Sequence, residues 1–350
     1  MSTTPQNRSN GIVGLKSKDF ATDQDVRWCP GCGDYSILKQ VQTVMADLGL
    51  DKDKVAVISG IGCSSRFPYY METYGMHSIH GRAPAFASGL RMANPDVSVW
   101  IVTGDGDGLS IGGNHLIHIL RRNFDVNIML FNNQIYGLTK GQYSPTSEMN
   151  KVTKSTPLGS LDHPVNPLAL ALGADATFVA RSMDRDPKHL KEMLKRSDAH
   201  KGASFLEIYQ NCNIFNDGAF FTFTDKKTKQ ATTLFLEDGQ PLVYGENNEK
   251  GIRIDGLSPQ IVDLEKDGYG VSDLWIHDEK DLSKAQLLAR FFDNPATNDN
   301  PLPRPFGVLY AIDRPCYEDM LHAQLETAIE KSGEGDLDDL IAGKQVWHIN

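Results

Sequence analysis

Residues 97–133 run Val97-Ser-Val-Trp-Ile-Val-Thr103, then Gly104-Asp-Gly-Asp-Gly108, then an amphipathic stretch from Gly113 to Arg122, then Val126-Asn-Ile-Met-Leu-Phe-Asn132 and Asn133. The two outer segments are short, almost wholly apolar and rich in β-branched residues, as strands buried on both faces are. A helix lies between them. Strand, helix and strand at this spacing make one βαβ unit, right-handed by default, and two parallel strands.

The alternation continues on both sides. Asp34 to Leu48 carries Ile37, Leu38, Val41, Val44, Met45 and Leu48 at helical spacing, with Asp34 expected as its cap, and Lys54 to Ser59 follows as a strand. Asn166-Pro167 and Asp186-Pro187 each pair a capping side chain with proline at the first helical position, opening two further helices. Ala203 to Gln210 is expected to close the series as a strand. The fold class is therefore α/β, with a doubly wound, mostly parallel sheet. Residues 1–27 show no periodicity and read as an N-terminal arm, residues 28–220 as the α/β domain, and residues 221–350 as a C-terminal extension of mixed charge, Gly and Asn. Within it, Asp293 to Pro305 reads as an exposed loop, Gly307 to Asp313 as a strand and Tyr317 to Lys331 as a helix.

The 350 residues are 40% hydrophobic, enough for a full core, and the formal net charge is −10. No basic stripe dominates, so nucleic acid is not an expected partner; Lys226-Lys227-Thr228-Lys229 is too short and reads as a solvated loop. No apolar run approaches a membrane span and no signal-like segment opens the chain, so a cytoplasmic location is expected. In that reducing compartment a Cys-x-x-Cys pair is more often a metal or redox site than a disulfide.

The Gly104–Gly108 run sits at the end of a strand where a helix begins. Backbone amides and the helix dipole can cradle a diphosphate there, and glycine lets the backbone come close. A diphosphate calls for a hard cation. Mg²⁺ prefers oxygen ligands, and Asp105, the side-chain oxygen of Asn133 and a backbone carbonyl at Ile135 can supply them from the ends of two adjacent parallel strands. Four of the five cysteines form a second pattern: Cys29 and Cys32 as a close pair, Cys63 and Cys212 as singles. The set suits an iron–sulfur cluster or a zinc ion equally well.

Together, Gly104-Asp-Gly106, the helix and Asn132-Asn133 resemble the thiamine diphosphate motif. Trp28-Cys-Pro-Gly-Cys-Gly33, Gly60-Ile-Gly-Cys-Ser64, His80-Gly-Arg82 and Tyr136-Gly-Leu-Thr-Lys-Gly-Gln142 resemble the β subunit of 2-oxoacid:ferredoxin oxidoreductases over about residues 25 to 220. The resemblance implies a thiamine diphosphate-binding fold with a cluster-binding segment at its N-terminus, a [4Fe-4S] cluster on Cys29, Cys32, Cys63 and Cys212, and Mg²⁺ on Asp105, Asn133 and Ile135. It also implies cofactor contacts from Ile61, Gly62, Cys63, Ser64, His80, Gly106, Asp107, Gly137 and Leu138, mostly through backbone groups, with His80 against the diphosphate. Cys316 matches nothing and reads as a small buried hydrophobe; His77, His115 and His118 read as structural.

The activity so implied is coenzyme A-dependent oxidative decarboxylation of a 2-oxoacid, or its reverse, with electrons passing through the cluster to ferredoxin. Arg66 and Lys140 are the candidate substrate cations: a dicarboxylic acid needs one for its distal carboxylate, and arginine offers a bidentate fork. Arg66 and the Lys266-Asp-Gly-Tyr-Gly270 segment resemble the 2-oxoglutarate branch, which gives succinyl-CoA and CO₂; pyruvate or a branched-chain 2-oxoacid is the alternative. A pyrimidine-binding domain is expected on a separate α subunit, in an α2β2 assembly. Competing readings are a non-oxidative thiamine enzyme and a zinc-stabilised scaffold.

Overall fold

The computed structural model describes residues 14–291, 301–344 and 346–347. Residues 1–13 of the expected arm and 293–300 of the expected loop lie outside them. The first half of the chain alternates as expected: α1 (Asp34–Asp47), β1 (Val55–Ser59), β2 (Tyr74–His77), α2 (Ala83–Ala93), β3 (Ser98–Gly104), α3 (Gly113–Arg122) and β4 (Val126–Asn132). Then come α4 (Pro167–Gly173), β5 (Phe178–Met183), α5 (Pro187–Ala199) and β6 (Ala203–Tyr209).

Two of the expected caps form and one does not. The Asn166 side chain accepts from the Ala169 amide at 3.0 Å, and that of Asp186 from His189 at 3.1 Å. Each meets an amide that would otherwise lack a partner, and proline follows where its missing N–H costs nothing. Asp34, by contrast, does not cap α1. Gly33 holds that position, and Asp34 turns into the interior, where neither carboxylate oxygen makes a well-formed hydrogen bond.

One sheet organises the fold, in the order β2-β1-β3-β4-β6-β5 and then two strands from later in the chain, β11 (Arg304–Ala311) and β7 (Thr233–Phe235). The strands from β2 to β5 in this order are parallel. Successive side chains of β3 serve opposite faces: Val99 and Ile101 join a core with α2, α3 and α4, while Trp100 and Val102 join a core with α1 and α5. Helices on both faces explain why the strands read as continuous apolar runs. Each large apolar side chain so buried contributes about 1.5–3 kcal/mol.

The sheet does not close at β6. The chain beyond residue 220 forms α6 (Phe221–Thr224), α7 (Lys229–Thr232) and β7 (Thr233–Phe235), then an antiparallel sheet of β8 (Val243–Tyr244), β9 (Lys250–Asp255) and β10 (Ser258–Asp263). After α8 (Leu282–Ala289), β11 (Arg304–Ala311) returns to pair antiparallel with β5, and β7 pairs with β11. The extension is thus built into the main sheet. Lys229, expected on a solvated loop, pairs with Asp186 at 2.5 Å. The chain ends with α9 (Tyr317–Ser332) and α10 (Leu337–Ala342). Among the described residues no helix is long and apolar enough to cross a membrane.

Candidate functional site

Because β1, β3, β4 and β6 are parallel neighbours, their carboxyl ends share one rim, the usual ligand-binding edge of such a sheet. Four loops meet there. They begin at Gly60, Asp105, Asn133 and Gln210.

Asp105 follows the last residue of β3 and is buried. Its Oδ2 accepts hydrogen bonds from Ser144 Oγ at 2.5 Å and Thr146 Oγ1 at 2.6 Å. Burial pushes its carboxyl up to about 6, against the pull of those two hydroxyls. Thr146 Oγ1 also lies 3.0 Å from Asn132 Oδ1. The loop after β4 therefore folds back over the Asp105 carboxylate. Asn133 has other partners, its Nδ2 donating to Gln210 Oε1 at 2.7 Å and its Oδ1 accepting from the Ile135 amide at 3.1 Å.

Asp107 is a buried hub. Its Oδ1 accepts from the amides of Ile61 at 2.9 Å and Gly81 at 2.7 Å and lies 2.5 Å from His80 Nδ1, while Oδ2 accepts from Thr103 Oγ1 at 2.6 Å. The chain here makes a single π-helical turn, Asp107–Ile111, which widens the backbone just after the strand. Tyr136 covers Gly106, its hydroxyl donating to the Gly106 carbonyl at 3.1 Å. A Cβ on Gly106 would stand 2.1 Å from that ring, so only glycine permits this contact.

Three further contacts draw the cysteine segments together. Trp28 Nε1 donates to the Cys63 carbonyl at 2.6 Å, the Gly33 amide to the Asn211 carbonyl at 3.1 Å, and Asn213 Nδ2 to the Pro30 carbonyl at 2.7 Å. A Cβ on Gly137 would lie 3.3 Å from Cys63 Sγ and 3.7 Å from Cys212 Sγ, so the loop after β4 and two cysteines are in contact. Burial pushes the Cys32 thiol far up, with the charge of Asp34 next and then Cys212 and Cys63. Burial likewise pushes Cys63 up to about 12, helped by Asp34, Cys212 and Cys29 and opposed by Arg66. All four are free thiols. Among the described residues no three His, Cys, Asp or Glu side chains close to metal-ligating positions. Cys316 is elsewhere, at the start of α9, where burial pushes its thiol up to about 12, Glu318 adding to the rise, Lys201 opposing it and Asp125 adding again.

The remaining candidates divide. Ser64 is buried, and a Cβ on Gly104 would be 3.4 Å from its Oγ, which places it at the end of β3. Gly62 has a left-handed φ of +142° and open space beside it. The Arg66 amide donates to the Cys63 carbonyl at 3.2 Å, so Arg66 stands one turn from that cysteine. Leu138 is exposed, and so is Lys140, at the end of a turn closed by its amide and the Gly137 carbonyl at 3.0 Å. The sequence reading missed Ser144, Thr146 and Gln210. Hydroxyls some 40 positions from Asp105 give no local signal, whereas Gln210, just ahead of Asn211 and Cys212 at a strand end, could have been flagged.

A model of the thiamine pyrophosphate enzyme C-terminal TPP-binding domain matches residues 60–208. The chain is 49% identical over 339 residues to the 2-oxoglutarate oxidoreductase subunit KorB of Mycobacterium tuberculosis, covering 96% of this chain and 89% of that one. It is 47% identical over 209 residues to the β subunit of 2-oxoacid:ferredoxin oxidoreductase 1 of Aeropyrum pernix, covering 60% and 64%. A solved structure, 2-oxoglutarate:ferredoxin oxidoreductase from Magnetococcus marinus with 2-oxoglutarate, coenzyme A and succinyl-CoA bound, superposes with a TM-score of 0.75 at 34% identity, over 96% of this chain and 98% of that one.

Proposed function

Since the chain belongs to the 2-oxoacid:ferredoxin oxidoreductase β subunits, we propose that with a separate α subunit, in an α2β2 assembly, it converts 2-oxoglutarate, coenzyme A and oxidised ferredoxin to succinyl-CoA, CO₂ and reduced ferredoxin, or runs the reverse. The observation that carries this reading is that, at the sheet rim where the strands before Asp105 and Asn133 end side by side, Asn133 is linked through Gln210 to Cys32 and Gly137 lies against Cys63 and Cys212. A scaffold or a non-oxidative enzyme has no need of that adjacency.

The residues present fit the groups this activity requires. Asp105 is a buried carboxylate whose hydrogen bonds all come from neutral hydroxyls and amides, a site a divalent cation would stabilise. With it, Asn133 and the Ile135 carbonyl would hold Mg²⁺. The two-sulfur wall against Gly137, with Cys32 and the exposed Cys29, offers four soft ligands for a [4Fe-4S] cluster. Thiamine diphosphate, when bound, supplies the carbanion chemistry of decarboxylation, and the cluster a one-electron outlet.

The chain's own residues do the positioning. Asp107 binds Ile61, Gly81 and His80 at once, so the loops expected to line the cofactor are locked to each other before it arrives. Its contact with Nδ1 fixes the His80 ring and leaves Nε2 as the free nitrogen for a diphosphate oxygen. Ile61 to Ser64, Gly106, Gly137 and Leu138 would supply backbone and apolar contacts. Arg66, one turn from Cys63, would meet the distal carboxylate of 2-oxoglutarate. Lys140 would contribute positive charge at the mouth.

The chain purified anaerobically with its partner subunit should carry about four irons and four sulfides and reduce a viologen dye only with 2-oxoglutarate and coenzyme A together. Serine at Cys29, Cys32, Cys63 or Cys212 should lower iron content, and Cys316→Ser should not. Stoichiometric zinc, or dye reduction without coenzyme A, would end the proposal.

A further inference from the structure

Gln210 occupies a position that none of the roles above explains. It is 1% exposed, and its amide nitrogen continues the β4–β6 ladder by donating to the Asn132 carbonyl at 2.9 Å. Its side chain then reaches two ways. Oε1 accepts from Asn133 Nδ2 at 2.7 Å; Nε2 donates to the Asn211 carbonyl at 2.6 Å and to Cys32 Sγ at 3.4 Å.

The orientation of this amide is dictated by its neighbours. The Asn211 carbonyl can only accept, so the Gln210 group facing it is the NH₂, and Oε1 must face Asn133. An oxygen there requires Asn133 to present its own NH₂. The Ile135 amide can only donate, so it independently demands Asn133 Oδ1 on the far side. Two separate constraints thus fix Asn133 in one flip state, its nitrogen on Gln210 and its oxygen on the Ile135 amide, where the oxygen keeps a second lone pair for a cation. The remaining Nε2 hydrogen of Gln210 points at a cysteine sulfur.

We infer that Gln210 is a positioning residue for both centres, holding Asn133 with its side-chain oxygen toward the metal of thiamine diphosphate and donating a hydrogen bond to the Cys32 sulfur that raises the cluster's reduction potential. The inference rests on the function proposed above. Hydrogen bonds to a ligand sulfur favour the more electron-rich, reduced cluster, and groups that orient a metal ligand typically carry a 10–100-fold effect on metal affinity. One buried side chain therefore links cofactor affinity to the ease with which electrons leave it.

The test uses the full chain with its partner subunit, prepared anaerobically. Gln210→Leu removes both contacts at similar volume; Gln210→Glu keeps an oxygen for Asn133 but leaves no N–H for Cys32. In Gln210→Leu, thiamine diphosphate with Mg²⁺ should bind about tenfold or more weakly by calorimetry. The cluster should shift about threefold toward its oxidised form in an EPR-monitored redox titration, about 28 mV for one electron. In Gln210→Glu the cofactor affinity should recover toward wild type while the potential stays low. A merely structural role would lower thermal stability and move neither readout. Wild-type affinity and wild-type potential in Gln210→Leu would overturn the inference, as would an affinity loss that Glu does not recover. Should Gln210→Leu fail to retain its cluster, Gln210→Glu decides alone: a wild-type potential there overturns the inference. Zinc in the wild type, or wild type that does not bind thiamine diphosphate, would defeat the proposed function and take this inference with it.

Discussion

Glu207 and Arg181 form an ion pair at 2.7 Å beneath the candidate site, both almost fully closed to solvent. The pair joins the site to the C-terminal strand. Glu207 Oε1 accepts from Asn132 Nδ2 at 2.8 Å, which steadies the residue before Asn133, and Arg181 donates to the Pro305 carbonyl of β11 at 3.2 Å. Removing one partner strands a buried charge, so Arg181→Leu should lower unfolding stability by about 3–5 kcal/mol. The double variant Arg181→Leu/Glu207→Leu, with no orphan charge, should regain much of that in denaturant titration. Equal losses in the single and double variants would show that Asn132, not the ion pair, governs stability here.

Asp105 is the anionic ligand of the proposed metal, and Thr146 holds one of its oxygens. Asp105→Ala should abolish thiamine diphosphate binding in calorimetry while leaving iron content unchanged, and Asn133→Ala should act in the same direction less severely. Thr146→Val keeps the shape and removes the hydroxyl, so cofactor affinity should fall about tenfold. Undiminished affinity in Asp105→Ala would refute the diphosphate assignment.

Arg66 should discriminate between substrates. Losing a charge-assisted contact to the distal carboxylate should lower kcat/KM for 2-oxoglutarate by at least about tenfold in Arg66→Ala, roughly 1.4 kcal/mol. Pyruvate has no distal carboxylate and should change little. Parallel assays of the two acids settle the matter, since equal losses would assign Arg66 to the cofactor or the cluster.

His189 and His200 give the fold an acid limit. Each is half-buried beside a hydroxyl, Ser182 and Thr177 respectively, at 2.8 Å, and its loss of solvent holds each near a pKa of about 4 against an ordinary 6.5. A folded-state pKa below the unfolded one means that the unfolded chain takes up protons first. Their stability contribution is thus present above pH about 6.5 and is lost as pH falls toward about 4. Asp105, with its carboxyl raised to about 6, acts in the opposite sense, so the test is a difference: on acidification from about pH 6.5 to about 4, His200→Gln should lose less melting temperature than wild type. An unchanged slope in that variant would place the acid sensitivity elsewhere.

By itself the sequence determined the parallel core of the sheet, the cap positions at Asn166 and Asp186, and the placing of Asp105 and Asn133 just past the ends of two adjacent parallel strands. These are legible because each rests on a local period or on a strand end, and adjacent parallel strands bring their ends together without further instruction. What only the tertiary structure decided depends on partners distant in sequence. Asp34 has the composition of a cap yet is turned inward because Gly33 is held by the Asn211 carbonyl. Gly307 to Asp313 reads as a strand but carries no mark of an antiparallel place beside β5, nor of a start as early as Arg304. Ser144 and Thr146 reach Asp105 only because the loop after β4 doubles back. The amide of Gln210 finds Asn133 on one side and Cys32 on the other only once β4, β6 and the first cysteine loop are packed together. A hydrogen bond between side chains 178 positions apart leaves no period in the chain, since its geometry exists only after three separate elements have been fixed in space.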